Sequence, residues 1–396
     1  MKFIHSADWQ IGKQFANIKG DIAAFLREAR FDVIKTIASL ANQHKAEAVL
    51  VAGDVFDANE VSDTTIRKTL NAMQEYKGPW VLLPGNHDPA LAQSVWTRMK
   101  DLPERTDNII LALEPKPISV ADNKLLIMPA PLRLRHEYRD LTEWYDSFQA
   151  PDSSYKVGLA HGSIEGFLPE SAEIHNMISY QRTETANLDY LALGDWHGQL
   201  KVSSKAWYAG TPEQDRFHDN EPGKALLVTL KEKGEEPKVE SLDTGKYQWH
   251  RIQFDLYATK DIEGLNDHFS KYNPSESKVI SLSLKGNLSL DNRQELDQLL
   301  DSWKAKFAML DINDTNLKLN PTEQDLQELQ SMGFLNTTMK ELLTIRENES
   351  HEQHVYADRA IQMLWQELQS NELLSNLVYG HQATFLSDCS LICNPS

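Results

Sequence analysis

Five short apolar runs in the first half of the chain each end in small or polar residues whose side chains can bind a metal ion. The ends of these runs read SADWQ, AGDVFD, PGNHD, LAHG and GDWHG. Apolar runs of this length, separated by amphipathic stretches, predict strands that alternate with helices. In open α/β sheets, ligands bind outside the carboxyl ends of the strands, so we expect the five ends to converge on one pocket.

The side chains at these five ends are carboxylates, amides and imidazoles. They belong to Asp8, Gln10, Asp54, Asp57, Asn86, His87, Asp88, His161, Asp195 and His197. A single aspartate at a strand end is usually a cap or turn residue, but five such ends in succession are poorly explained as unrelated turns. Together these ligand types suit a divalent ion such as Mn²⁺. They do not exclude Fe²⁺ or Zn²⁺. His5 lies inside the first strand, where we expect it to be buried and hydrogen-bonded.

The hydrophobic pattern divides the chain into three parts. Residues 1–245 alternate predicted strands with predicted helices and then contain a denser series of strands, which predicts an α/β domain. The charged stretch EKGEEPKVE near the end of this domain is predicted to be a hairpin or loop. Residues 246–320 predict a small α+β domain, and residues 321–396 predict a helical segment. The predicted helices cover 21–44, 63–76, 259–271, 291–306, 322–345 and 351–378.

The net charge of −18 limits how the chain can bind nucleic acid. A protein that binds DNA unaided usually has a basic surface, so a DNA substrate would require a local basic patch or a partner. Arg133 and Arg135, in a loop beside the predicted site, are candidate phosphate contacts. His218 follows another loop that we expect to face the site and is a candidate substrate contact.

The cellular setting is indicated by two features of the sequence. No run approaches the length of a membrane span, so we expect no membrane association. The two cysteines, Cys389 and Cys393, exclude a disulfide framework and indicate a reducing, cytoplasmic setting.

The succession D-x-Q, GDxxD, GNHD, H and GDxH resembles the five-motif signature of calcineurin-like metallophosphoesterases. Within that superfamily it is most similar to the Mre11/SbcD nucleases, which the stretches FIHSADWQIGK and WYAGTPEQDRF also resemble. The resemblance covers residues 1–320 and, more loosely, the tail. It implies a sandwich of two mixed β-sheets flanked by helices, a small α+β capping domain and a C-terminal helical segment.

The resemblance implies two divalent metal ions, with Asp54 bridging them. Their ligands by position would be Asp8, Gln10, Asp54 and His197 for one ion, and Asp54, Asn86, His161 and Asp195 for the other. Gln10 and Asp195 replace the usual histidines, which shifts the site toward oxygen ligands and favours Mn²⁺ or Mg²⁺ over zinc. His87 would contact the phosphate and protonate the leaving 3′-oxygen, and Asp57 would orient it.

The implied function is a Mn²⁺-dependent DNA nuclease with 3′–5′ exonuclease and endonuclease activity, acting in repair or in defence against foreign DNA. The implied partners are a second copy of the chain and a Rad50/SbcC-like coiled-coil ATPase held by the C-terminal helices. An apolar stripe there either binds this partner or packs on the capping domain; it contains Ile361, Leu364, Trp365, Leu368, Leu373, Leu374 and Leu377. Two alternatives remain open: a small-molecule phosphodiesterase or phosphatase, and a catalytically weakened scaffold that binds DNA ends.

Overall fold

The computed structural model describes residues 1–18, 20–166, 176–217, 220–319, 334–348, 350–354, 356–357, 359–361 and 363–364. The chain separates into two compact units, Met1–Trp249 and His250–Ser396. The division into a nuclease domain, a capping domain and a helical tail remains a prediction.

In the described part of the first unit, two mixed six-stranded sheets form the centre. The strands in chain order are β1 (Lys2–Ser6), β2 (Val49–Val51), β3 (Trp80–Leu82), β4 (Ile109–Leu111), β5 (Ile118–Val120), β6 (Leu125–Ala130), β7 (Tyr155–His161), β8 (Tyr190–Gly194), β9 (Leu200–Lys201), β10 (Ala206–Tyr208), β11 (Lys224–Thr229) and β12 (Lys238–Asp243). The first sheet has the order β12-β11-β1-β2-β3-β4, and the second has the order β5-β6-β7-β8-β10-β9. In each sheet four neighbouring strands are parallel, and the antiparallel pairs lie toward the edges.

The helices in the described part of the first unit are α1 (Ile22–His44), α2 (Asp63–Ala72), α3 (Val95–Asp101), α4 (Trp144–Ser147) and α5 (Arg182–Thr185). The two longer ones were predicted: α1 matches its predicted bounds within one residue, whereas α2 begins at the predicted residue 63 and ends four residues before the predicted 76. The three short helices were not predicted. The Ser62 side chain accepts a hydrogen bond from Thr65 N at 3.2 Å, so α2 starts at a side-chain cap. None of the described helices combines the length and the apolar character that crossing a lipid bilayer requires.

The strand β12 begins inside the charged stretch that was expected to be a hairpin or loop. Its segment pairs with β11 from Lys238 to Asp243, and its charged residues lie at the edge of the sheet. Charged side chains at an edge strand face solvent and discourage pairing with other chains, which explains why a polar stretch forms a strand here.

The alternation of side chains along each strand builds a layered core. Val49 and Val51 pack with residues of α1 and α2, whereas Leu50 packs between the two sheets. On β8, Leu193 packs on the outer face of the second sheet, while Ala192 faces the first sheet. Successive strand residues point to opposite faces, so every central strand is buried on both sides. The predicted α/β sandwich of two mixed sheets flanked by helices is confirmed.

The second unit contains one three-stranded sheet within its described residues, with the order β13-β14-β15. Its elements are β13 (Gln248–Leu256, which crosses the unit boundary), α6 (Thr259–Ser270), β14 (Lys278–Leu288), α7 (Leu290–Lys304), β15 (Met309–Leu319) and α8 (Phe334–Glu347). Ile361, from the predicted apolar stripe, is buried beside Leu319 and Met339, and Leu364 packs against this cluster. This part of the stripe therefore packs on its own unit. The stripe residues Trp365, Leu368, Leu373, Leu374 and Leu377 lie outside the described residues.

Candidate metal centre

The five motifs meet at the carboxyl ends of strands from both sheets. β1, β2 and β3 contribute from the first sheet, and β7 and β8 contribute from the second. Asp8 N donates to Gly53 O at 3.1 Å, and Asp195 N donates to Asp8 Oδ1 at 3.1 Å, so main-chain hydrogen bonds join the loops. Ligand atoms of Asp8, Asp54 and His161 all lie within 4.8 Å of one another.

Two glycines of the GD motifs permit this close approach. A Cβ atom at Gly53, where φ is +91°, would lie 2.1 Å from His161 Nδ1. A Cβ atom at Gly194 would lie 1.9 Å from Ala52 O. Only glycine fits where main chain and ring come this close, so the glycines before Asp54 and Asp195 are part of the site.

Candidate ligands from three of the motifs have a left-handed backbone. The φ angles are +52° at Asp8, +44° at Gln10, +50° at Asp54 and +105° at Asp195. Such conformations cost about 1–3 kcal/mol in residues other than glycine, and they cluster at functional sites. The folded chain accepts this strain in order to hold these side chains at the strand ends.

His161 lies at the centre of a group of oxygen ligands. Its Nδ1–H donates to Ala52 O at 2.8 Å, because a carbonyl oxygen can only accept, so Nε2 faces the site. Nε2 lies 2.8 Å from the side-chain amide of Asn86. It also lies 3.5 Å from Asp54 Oδ1 and 3.8 Å from Asp195 Oδ1. The four side chains that the resemblance assigns to one ion are thus brought together.

The electrostatics of this group fit a divalent cation. Burial lowers the pKa of His161, but the carboxylates of Asp54, Asp8 and Asp195 outweigh burial and raise the pKa to about 9. Burial raises the pKa of Asp8 to about 6 and also raises the pKa of Asp195. The buried group carries more negative charge than its own cations neutralise, and a divalent ion would supply the missing positive charge.

The amide of Asn86 supports the same conclusion. With its oxygen directed into the site, it accepts from His161 Nε2 only while that nitrogen is protonated, and it also faces the oxygens of Asp54, which have no proton to donate. With the amide rotated, its nitrogen donates to His161 Nε2 at 2.8 Å and to both Asp54 oxygens at 3.3 Å. A cation among these atoms would be bound directly by the amide oxygen in the first orientation, so this set of donor atoms fits a metal ion.

The other predicted ligand pair, Gln10 and His197, is brought together with Lys13 beside it. Gln10 Nε2 lies 3.3 Å from His197 Nε2, and Gln10 Oε1 accepts a hydrogen bond from Lys13 Nζ at 2.9 Å. Lys13 Nζ also donates to Asp215 Oδ2 at 2.5 Å, and His197 Nδ1 lies 3.7 Å from the same oxygen. With this amide orientation the Gln10 oxygen faces Lys13 and the Gln10 nitrogen faces His197 Nε2, which does not fit an ion bound by the Gln10 oxygen and His197 Nε2 together.

Four polar residues in or beside the site, Lys13, Arg30, Ser163 and Asp215, were not predicted from the sequence. Burial alone would raise the pKa of Asp215, but His197, Arg30 and Lys13 hold it well below its usual range. Lys13 and Asp215 lie in DWQIGK and TPEQDRF, but nothing in either stretch indicates that the two side chains meet. Ser163 Oγ donates to Asp195 Oδ2 at 3.1 Å and helps to orient that carboxylate.

His87 is oriented by main chain. Its Nδ1–H donates to the carbonyl oxygen of Asp57 at 3.0 Å, so the main chain of Asp57 makes the contact that we expected of its carboxylate. The other ring nitrogen, Nε2, lies 4.0 Å from Asp54 Oδ2. Asp88 is buried, and its carboxylate accepts from Phe56 N at 2.9 Å and Gly85 N at 2.7 Å. Asp88 therefore fixes the loop that carries His87.

The predicted substrate contacts are only partly described. Arg133 and Arg135 are exposed in the loop after β6. Leu132 O accepts from Ala90 N at 2.8 Å, which ties this loop to the segment that follows His87. His218 lies outside the described residues.

The prediction for His5 agrees with its surroundings. His5 is buried, with Nε2 3.1 Å from Leu193 O and Nδ1 3.0 Å from the Tyr190 hydroxyl. Its ring therefore joins β1 to β8 and is not available as a ligand.

A family model for calcineurin-like phosphoesterases matches residues 1–229, which include all five motifs. The chain belongs to the calcineurin-like phosphoesterase family. As a member of this family the chain is a metal-dependent phosphoesterase. The resemblance to calcineurin-like metallophosphoesterases that the five motifs indicated is confirmed.

Individual relatives are distant. The chain is 22% identical over 345 residues to the DNA double-strand break repair protein Mre11 of Methanosarcina acetivorans, covering 80% of the chain and 51% of that protein. It is 21% identical over 280 residues to the Mre11 protein of Methanosarcina mazei, covering 68% of the chain and 42% of that protein. The chain thus spans about half the length of these relatives.

Two further matches complete the comparison. The chain is 22% identical over 328 residues to the uncharacterized metallophosphoesterase YhaO of Bacillus subtilis, covering 78% of each chain. The crystal structure of TT1561 of Thermus thermophilus matches with a TM-score of 0.37 and 12% identity, covering 61% of this chain and 98% of that one.

Proposed function

We propose that the chain is a Mn²⁺-dependent DNA nuclease and the nuclease subunit of a complex with a coiled-coil ATPase. The observation that carries the proposal is the buried group around His161, where Asp8, Asp54, Asn86 and Asp195 converge from both sheets. Family membership supports phosphoester hydrolysis. The two relatives named as DNA double-strand break repair proteins support DNA as the substrate.

The donor set favours Mn²⁺, with Mg²⁺ as the second choice. Carboxylates and an amide oxygen are hard ligands that suit both ions, and the single imidazole suits Mn²⁺ better. A divalent ion bound here would polarise the phosphate and lower the pKa of a bound water.

The chain's own residues then supply positioning and proton transfer. His87 keeps one proton on Nδ1 through its hydrogen bond to Asp57 O, so Nε2 is the nitrogen that is free to contact the phosphate or protonate the leaving oxygen. The His87 main chain donates to Asp54 Oδ1 at 2.9 Å, which couples the position of this imidazole to the metal ligand. We infer that His87 is the general acid.

The surface charge supports a divided role in DNA binding. The net charge of −18 opposes tight binding of DNA by the chain alone. Arg133 and Arg135 offer an exposed basic patch beside the segment of His87, and the ATPase partner would add the remaining basic surface. In the proposed complex the chain is a homodimer with 3′–5′ exonuclease and endonuclease activity, acting in repair or in defence against foreign DNA.

The proposal is tested by cleavage of linear duplex and hairpin DNA labelled at the 3′ or the 5′ end, in Mn²⁺ and in Mg²⁺. We expect cleavage that is strongest in Mn²⁺, with loss of the 3′ label first. Asp54→Asn should abolish it, whereas Asp122→Asn, the same change at an exposed position, should not. Hydrolysis of nitrophenyl phosphates or cyclic nucleotides without cleavage of DNA would instead identify a small-molecule phosphoesterase.

A second candidate is a catalytically weakened scaffold that binds DNA ends. It is favoured by the contact of Gln10 with Lys13 and His197, which draws two predicted ligands away from a metal. Binding of DNA ends without cleavage in any divalent metal would select this candidate.

A further inference from the structure

Four side chains beside the metal centre form a ring in which hydrogen-bonding distances join three of the four neighbouring pairs. Lys13 Nζ donates to Gln10 Oε1 at 2.9 Å and to Asp215 Oδ2 at 2.5 Å. Gln10 Nε2 lies 3.3 Å from His197 Nε2, and His197 Nδ1 lies 3.7 Å from Asp215 Oδ2. Two members come from the loop after β1, and the others lie about two hundred residues later, so only the fold brings them together.

Lys13 fixes which way the Gln10 amide points. An ammonium group has only donors, so the atom that faces it must be the amide oxygen. The amide nitrogen is then directed at His197 Nε2, whose lone pair becomes the acceptor. A metal ion held by both residues would need the Gln10 oxygen and His197 Nε2 to face the same point. In the ring the Gln10 oxygen faces the Lys13 ammonium instead.

The charges of the ring also oppose a second cation. The Asp215 carboxylate lies beside Lys13 at 2.5 Å and beside the buried Arg30 guanidinium at 3.5 Å. The Arg216 Nε atom also lies 3.4 Å from the other oxygen, Asp215 Oδ1. One carboxylate thus faces three cations, and no negative charge within the ring is left over for a metal ion. A divalent ion placed against the Gln10 oxygen would lie close to an ammonium and be repelled by it.

We infer that the Lys13 ammonium takes the place of one of the two metal ions, so that the chain binds a single divalent ion, at the His161 group. This inference rests on the metal-binding part of the proposed function and is independent of DNA as the substrate. The single ion would have Asp8, Asp54, Asn86, His161 and Asp195 as its available ligands. Lys13 is a positioning residue, because it acts through Gln10 and Asp215.

The number of bound ions tests the inference without any substrate. The metal-free chain is titrated with Mn²⁺, free Mn²⁺ is followed by electron paramagnetic resonance, and bound metal is measured by elemental analysis after gel filtration. We expect one ion per chain and the spectrum of isolated Mn²⁺. Two ions of similar affinity, or the spectrum of a spin-coupled pair, would overturn the inference, and this result does not depend on any variant folding.

The cause is tested by restoring the second ligand set. The double variant Lys13→Met, Gln10→His removes the ammonium and offers an imidazole toward His197, so the count should rise from one ion to two. Lys35→Met is the matched control, because Lys35 is an exposed lysine paired with Asp32 on α1, and its count should stay at one. A folded double variant, as judged by circular dichroism, that still binds one ion would overturn the role of Lys13.

Failure of the metal site itself gives a different result. A wild-type chain that binds no Mn²⁺ would overturn the metal-dependent function and this inference together. A wild-type chain that binds one ion but leaves DNA intact would overturn the nuclease proposal alone.

Discussion

Replacing Asp8 by asparagine should stabilise the metal-free chain while removing the stability that metal binding adds. Asp8 is fully buried, and burial raises its pKa from 3.8 to about 6, with the neighbouring Asp54 and Asp195 adding to the effect. Asparagine keeps the oxygen that accepts from Asp195 N and tolerates the left-handed backbone at this position. The variant therefore removes a buried charge and leaves the local geometry intact.

The magnitude follows from proton linkage. The folded chain holds the Asp8 proton between pH 3.8 and about 6, where the unfolded chain has released it. The contribution of Asp8 to the free energy of unfolding is therefore present at low pH, and it is lost as the pH rises through about 6. The loss is about 3 kcal/mol above that pH, and Asp8→Asn should recover about this amount at pH 7.5.

The assay is urea unfolding at pH 5 and pH 7.5, in chelator and in Mn²⁺, followed by tryptophan fluorescence. Trp9, Trp80 and Trp96 are fully buried in the first unit and report its unfolding. In chelator at pH 7.5 the variant should be the more stable protein, and its advantage should shrink at pH 5. Mn²⁺ at 100 times its Kd should add about 2.7 kcal/mol to the wild type and little to the variant.

The control is Asp122→Asn, the same exchange at an exposed residue that also has a left-handed backbone, with φ +53°. It should change the free energy of unfolding by less than about 0.5 kcal/mol in all conditions. If metal-free Asp8→Asn is no more stable than the wild type at pH 7.5, the buried negative charge does not destabilise the fold, and the electrostatic argument for a cation here is wrong.

Three further outcomes follow from the geometry. His87→Gln should lower DNA cleavage by about 10²–10⁴-fold and leave the number of bound Mn²⁺ ions unchanged, which separates proton transfer from metal binding; loss of bound metal would contradict the role given to His87. Charge reversal at Arg133 and Arg135 should weaken DNA binding and reduce its salt dependence, as measured by fluorescence anisotropy, whereas reversal of the exposed Lys231 should change neither. Lys156→Met should destabilise the first unit by about 3 kcal/mol in urea unfolding. Lys156 Nζ donates to the carbonyl oxygens of Tyr145, Phe148 and Ala186 at 2.7–2.9 Å, so its loss leaves buried acceptors unpaired. An unchanged unfolding midpoint would refute this prediction.

Local sequence determined the elements and the ligand types. Helix α1 lies within one residue of its predicted start and ends at the predicted residue, because its apolar period continues over many turns. The strand ends that carry Asp8, Asp54 and Asn86 were also identified from sequence, since an apolar run followed by small and polar residues is a local pattern. The strand β12 was not identified as a strand, because only its partner β11 makes a charged stretch extended.

The atoms that face one another were decided by tertiary structure. The sequence provides Gln10 as a ligand in place of histidine, but the direction of its amide depends on Lys13, whose ammonium is held by Asp215, 202 residues farther along the chain. In the same way the main chain of Asp57, and not its carboxylate, orients His87. A strand end fixes where a side chain begins. The direction in which it points depends on charges and hydrogen-bond partners that the fold brings from distant parts of the chain, and no local pattern records them.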